Sequence, residues 1–169
     1  MRIRQECEAD YPEICRLVKD AFAGAEHADG SEQDLVEALR KGAAYLPELA
    51  LVAEVNGILA GHIMLTRAAV GGDPVLALAP LSVRPEFQRQ GVGAALMEEA
   101  HRRAAALGAA YILVLGSEHY YPRAGYRPAE EFGVTVPEGI PSANFMVLKL
   151  REDAEPLNGA VNYAPEFGL

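Results

Sequence analysis

The sequence predicts a mixed α/β fold, with a mostly antiparallel central sheet and one parallel βαβ unit. Three observations carry this. Apolar runs at 49–55 and 58–70 flank Asn56-Gly57, the strongest two-residue hairpin signal. A strand pattern at 75–83 passes through a glycine-punctuated helix start into a short apolar run at 111–115, which reads as a right-handed crossover between parallel strands. Two earlier segments carry apolar residues at helical spacing.

The elements follow in order. Arg2–Cys7 is a first strand candidate. Asp10-Tyr11-Pro12-Glu13 reads as a helix start, with Asp10 as cap and Glu13 closing a capping box. Ile14, Leu17, Val18, Ala21 and Phe22 then form one apolar face. Ser31-Glu32-Gln33-Asp34 repeats the start signal for a second helix, which Gly42 suits as an end. After the hairpin, Gly71-Gly72-Asp73-Pro74 makes a turn before the 75–83 strand. A helix runs from about Gly91 to Leu107, a buried strand over Tyr111–Leu115, a brief helical segment over His119–Ala124, and a last strand over Ala143–Leu150. No repeat or linker divides the chain, so 1–150 is expected to be one domain. The acidic tail 151–169 carries Val161, Tyr163 and Phe167, which suggests docking on that domain.

The 169 residues are 50% apolar, enough for a sizeable core. A net charge of −9 repels nucleic acid and favours cationic small partners at encounter. No run approaches the roughly 18 apolar residues of a membrane span. The amino terminus turns acidic at Glu6 without an apolar signal core, so the expected location is cytoplasmic. Cys7 and Cys15 are too few for a disulfide framework or a zinc site, and no metal cluster is visible.

The chemistry concentrates in 81–94. A strand ends at Val83, and a helix opens at Gly91-Val92-Gly93-Ala94. A first helical turn offers unpaired N–H groups and the positive end of the dipole, which together hold a phosphate. Gly91 and Gly93 permit close approach, and Arg89 adds charge at the rim. A P-loop is excluded because the stretch has no lysine, and a dinucleotide fingerprint because Leu96 stands where the third glycine belongs.

The stretch Gln88-Arg89-Gln90-Gly91-Val92-Gly93 resembles the acetyl-CoA loop of the GNAT N-acetyltransferases, Gln/Arg-x-x-Gly-x-Gly/Ala. Leu81-Ser82-Val83-Arg84-Pro85 resembles the strand and turn before that loop, and Tyr121-Pro122-Arg123-Ala124-Gly125-Tyr126 the family's Tyr-x-x-x-Gly-Phe/Tyr signature. The three parts stand in family order, and the element order agrees from Arg2 to Leu150. The chain is most similar to small bacterial members with a Tyr-Tyr-Pro-Arg segment, here Tyr120–Arg123.

The resemblance implies a GNAT-like fold with a β-bulge, acetyl-CoA as cosubstrate, and an amine, small or peptidic, as acceptor. It implies that backbone amides over Gln88, Arg89, Gln90, Gly91, Val92, Gly93 and Ala94 hold the pyrophosphate. Leu81, Ser82 and Val83 would form the strand along which pantetheine pairs, through backbone groups of Leu81 and Val83. Pro80 fits a bulge there, because proline removes a ladder bond. Tyr121 would protonate the departing thiolate, a phenol near pKa 10 against a thiol of roughly 8–9. The family often places an asparagine after its fifth strand; here Gly116-Ser117-Glu118 occupies that region, with Ser117 the substitute.

The general base stays open among Glu118, His119, His62 and Glu54, with His62 reading as a core residue. Tyr120 reads as structural or acceptor-facing, and His27 and His101 as surface residues. No nucleophile grouping is present, so direct attack in a ternary complex is expected over a covalent enzyme intermediate. The alternative function is a coenzyme A-binding sensor without efficient turnover. Oligomeric state is not assigned.

Overall fold

A computed structural model of the chain describes residues 1–25 and 28–169, so His27 lies outside the described residues. Strand β1 (Arg2–Gln5) is followed by helices α1 (Tyr11–Phe22) and α2 (Glu32–Arg40), then by β2 (Tyr45–Val55), β3 (Ile58–Val70) and β4 (Asp73–Val83). Helix α3 (Val92–Ala106) crosses to β5 (Tyr111–Leu115). Three further strands are β6 (Arg127–Pro128), β7 (Phe145–Lys149) and β8 (Val161–Asn162). The sheet order is β1-β2-β3-β4-β5-β7-β6, with β8 added on β3. All pairings are antiparallel except β4 with β5. The expected mixed, mostly antiparallel sheet with one parallel unit is the observed one.

Alternation along the central strands buries both faces. On β2, Leu49, Leu51 and Ala53 pack toward α3 with Ile63, Leu65, Leu96 and Ala100. Ala50 and Val52 pack the other way, with Ile14, Leu17 and Leu39 of α1 and α2. Asn56 and Gly57 both have positive φ, at 52° and 76°, as a tight two-residue hairpin demands. Gly61 lets α3 lie close on β3, because a Cβ there would come within 2.9 Å of both Val92 and Leu96 side-chain carbons.

Several boundaries differ from expectation for physical reasons. Asp10 stands at the N-cap of α1 but does not cap it; its carboxylate takes the Cys7 N–H at 2.8 Å and the Arg4 guanidinium at 2.7 Å. The capping box therefore closes one turn earlier, between Cys7 and Asp10. Glu13, expected to complete it, pairs instead with Arg84 at the end of β4 and with Arg16. Strand β2 starts at Tyr45, four residues before its apolar run. After β7 the chain packs Ala154 and Leu157 into a third core cluster with Phe145 and Val147, and β8 pairs Val161 with Val70. No helix among the described residues is long and apolar enough to cross a membrane.

Candidate active site

The parallel pairing of β4 with β5 spans only Leu76/Ile112 and Ala77/Leu113. Beyond it the strands part. The β3–β4 register shifts between Ile63/Leu81 and Leu65/Leu78, which sets Ala79 and Pro80 opposite Met64 as a bulge. Past the bulge, the Arg84 N–H donates to the Ala60 carbonyl at 2.8 Å and fixes the ladder phase. Alternation then turns the backbone of Ser82 toward β3 and that of Leu81 and Val83 toward the open edge. Ser82 does not face the slot; its side chain is buried on the α1 face.

The same end of the slot holds the start of α3. Arg89 and Gly91 take left-handed φ values of 62° and 85°, which turns the chain sharply into the helix. No side chain caps the first turn, and the first helical bond is Ala95 N–H to Gly91 at 3.0 Å. The amides of Val92, Gly93 and Ala94 therefore lack intrahelical acceptors. Arg89, Gln90 and Ala94 are exposed at this rim, whereas the Val92 side chain is in the core. Gln88 turns its side-chain amide back onto the Val83 carbonyl at 3.1 Å, and Gln90 does the same to Glu86 at 2.9 Å.

The loop after β5 forms the opposite wall. Ser117 is exposed, and its hydroxyl accepts the His119 N–H at 3.1 Å, which tightens the turn. Tyr121 opens a 3-10 turn, Tyr121–Ala124, ended by Gly125 at φ 97°. Its ring packs on Gly116 and meets Tyr120 and Tyr126 edge-on at 5.2 and 5.6 Å. Burial pushes the Tyr121 hydroxyl well above the usual phenol range, so it stays protonated at neutral pH. Tyr120 reaches further: its hydroxyl lies against Gly93 at the start of α3, beside Val83. The sequence had not placed it there, because its direction is set by a 3-10 turn and not by a regular helix.

The base candidates scatter. Glu54 is held by Arg4 at 2.7 Å, at the β1–β2 edge. Glu118 is exposed, and its carboxyl lies below the ordinary range because its own backbone N–H and Asn144 donate to it. His119 is a surface side chain. His62 is fully buried against Glu6 at 2.9 Å. His101, read as a surface residue, is partly buried; its Nε2 meets the Tyr126 hydroxyl at 2.8 Å, and burial pulls its pKa down to about 4. Asn144, unmarked in the sequence reading, donates to the Gly116 carbonyl at 3.0 Å and holds the loop to β7. Among the described residues no group of three His, Cys, Asp or Glu side chains is placed to hold a metal ion.

Comparison with known proteins fits this geometry. Residues 11–126 match the acetyltransferase (GNAT) family. The uncharacterized N-acetyltransferase YjhQ of Escherichia coli K12 is 36% identical over 141 residues, covering 79% of this chain and 78% of that protein. The crystal structure of the GNAT family N-acetyltransferase YhbS from Escherichia coli in complex with CoA superposes with a TM-score of 0.89 at 26% identity, over 99% of this chain and 92% of that one. A GNAT family acetyltransferase from Brucella melitensis in complex with acetyl-CoA gives 0.82 at 29% identity, over 98% and 97%. A slot between splayed strands, with a bare helix N-terminus at its end, is thus set in a chain that belongs to the acetyltransferase (GNAT) family and is an N-acetyltransferase.

Proposed function

We propose that the chain transfers the acetyl group of acetyl-CoA to an amine acceptor, by direct attack while both are bound. One observation carries the reading: the backbone edge at Leu81 and Val83, which no neighbouring strand pairs, and the amides of Val92, Gly93 and Ala94, which lack intrahelical acceptors, meet at one end of one slot. The residues fit the cosubstrate. A 15-residue helix presents its free N–H groups to a pyrophosphate, with Arg89 beside them. A strand edge presents groups that pair with amides of a pantetheine arm as it would with another strand. The relatives crystallised with CoA and with acetyl-CoA support the same choice.

Acetyl-CoA supplies the activated thioester when bound. Leu81 and Val83 orient it along β4, the α3 amides neutralise the pyrophosphate, and the Tyr121 hydroxyl gives its proton to the departing sulfur. Its raised pKa keeps that proton available at neutral pH. Gln88 and Gln90 brace the loop from which those amides emerge. Ser117 shapes the turn that sets Tyr121.

The test is thiol release from acetyl-CoA with tyramine, putrescine and a lysine-containing peptide as acceptors, beside thermal unfolding with and without acetyl-CoA. Thiol release that depends on an amine is the expected result. A thermal shift without release for any acceptor would replace this reading with a coenzyme A-binding module.

A further inference from the structure

We propose that Glu6, His62 and Ser82 form a buried proton relay that accepts the proton an acceptor ammonium must lose before attack. The inference rests on the acetyl-transfer reading above. His62 and Ser82 are register partners across β3 and β4. Directly opposed residues share a face, with Cβ atoms about 4.5–5.5 Å apart. That face is the one covered by α1 and α2, since Met64, two residues along β3, packs there.

Both side chains are closed off from solvent, His62 at 0% and Ser82 at 1% exposure. His62 Nε2 meets Glu6 Oε1 at 2.9 Å. The same carboxylate takes the Tyr45 hydroxyl at 2.7 Å and two Arg40 donors at 2.8 and 3.0 Å. Burial works against charge on Glu6, but the bonds from His62, Arg40 and Tyr45 outweigh it and hold its pKa at about 2. An ionised carboxylate only accepts, so Nε2 carries the hydrogen, and in the neutral imidazole Nδ1 then keeps its lone pair. That Nδ1 is buried and without a partner among the described residues, and so is the Ser82 hydroxyl.

Buried polar atoms are seldom left alone, and two on opposed residues call for a joint explanation. A turn of the Ser82 hydroxyl about its Cα–Cβ bond, or one bridging water, joins it to Nδ1. The result is a carboxylate–imidazole–hydroxyl order, in which the carboxylate fixes the tautomer and stabilises the imidazolium. Ser82 lies between Leu81 and Val83, the residues whose backbone forms the open edge, and its side chain leaves β4 on the face opposite α3. The groups proposed for the pyrophosphate lie on one side of the strand and the relay on the other.

An alkylammonium loses two protons in becoming an amide. The first passes through a water admitted with the acceptor to Ser82 Oγ as the Ser82 proton moves to His62 Nδ1, and it leaves by the same path once the product has gone. The freed amine then forms the C–N bond as the C–S bond breaks. The second proton from nitrogen replaces the one that Tyr121 gives to sulfur. The charged and titratable groups around His62 are Glu6 after β1, Arg40 of α2 stacked on Tyr11 of α1, Tyr45 of β2, and the Arg84–Glu13 pair between β4 and α1. His62 and Glu6 act through Ser82 and are positioning residues.

The test follows kcat/KM for the accepted amine against pH in the parent, Ser82→Ala and His62→Gln, with acetyl-CoA affinity measured alongside. Ser82→Ala removes an oxygen that no hydrogen bond among the described residues uses, so it remains informative if His62→Gln fails to fold. The expected result is a fall in kcat of about 10²-fold in Ser82→Ala, with cofactor affinity within about twofold. His62→Gln should show a comparable loss in kcat, again with acetyl-CoA affinity within about twofold. Parent-like rates and pH profile in Ser82→Ala would overturn the relay and leave acetyl transfer standing. Acetyl-CoA binding without turnover of any amine would overturn both.

Discussion

The hydroxyl of Tyr120 lies against the α-carbon of Gly93, so the loop after β5 touches the first turn of α3 across the mouth of the slot. The contact makes Gly93 sensitive in a specific way. An added Cβ would run into the tip of the Tyr120 side chain, while Val83 Cγ2 stays at an ordinary 3.6 Å.

Gly93→Val is therefore expected to keep the fold, with Tyr120 displaced outward, and to lose cofactor stabilisation. At 100 times its dissociation constant, acetyl-CoA adds about 2.7 kcal/mol to the parent protein. Most of that should vanish in the variant, as read by thermal unfolding with and without acetyl-CoA. A full shift in the variant would remove the start of α3 from the binding site.

Tyr121→Phe and Tyr120→Phe separate proton donation from wall packing. Loss of a positioned acid lowers kcat by about 10²–10⁴-fold. Tyr121→Phe should show such a loss with nearly unchanged acetyl-CoA affinity, while Tyr120→Phe should stay within about tenfold of the parent. Turnover of Tyr121→Phe within about twofold, with chemistry limiting, would make it a wall residue.

Arg40→Ala addresses the buried carboxylate of Glu6. Arg40 and Glu6 side chains are 9% and 0% exposed, so the variant leaves a charge without its main cation. Breaking such a pair costs about 3–5 kcal/mol, measurable by urea unfolding at neutral pH. The pH dependence has a definite sign. Glu6 has a folded pKa of about 2 against 4.5, so its contribution is complete above 4.5 and is lost as pH falls toward 2.

His101 adds an earlier acid step. Its folded pKa of about 4 lies below the ordinary 6.5, so the unfolded chain takes up the proton first. Stability should fall as pH drops from 6.5 to 4, and His101→Gln should remove that part of the loss. A variant with an unchanged stability profile over this window would show that the imidazole titrates alike in both states.

The parts of the fold legible in the sequence are those with local causes. Asn56-Gly57 fixes the hairpin, and β3 and β5 were expected over the residues they occupy, because turn chemistry and uninterrupted apolar runs bound them. Strands β6 and β8, two residues each, have no such signal; pairing with β7 and β3 makes them strands. Nothing local in the sequence marks Glu6 as a buried carboxylate, because its partners lie 34, 39 and 56 residues away. The bulge at Pro80 had a local sign, proline itself. The direction of Tyr120 and the brace from Asn144 depend on how the 3-10 turns close, which no periodicity reports.

The two-pair seam between β4 and β5 acts as a mechanical joint. The β5-β7-β6 portion of the sheet joins β1–β4 through that seam, through the side chains beneath α3 and through the third cluster, where Val70 and Val75 meet Tyr111, Leu113 and Phe145, so widening the slot breaks no ladder bond. A molecule pairing along Leu81 and Val83 would clamp the free end, as a latch opposes a hinge. Hydrogen–deuterium exchange should show it. The amides of Leu81 and Val83 are expected to exchange quickly in the free protein and to slow at least tenfold with acetyl-CoA, while those of Leu76 and Ala77 at the pivot stay slow in both states.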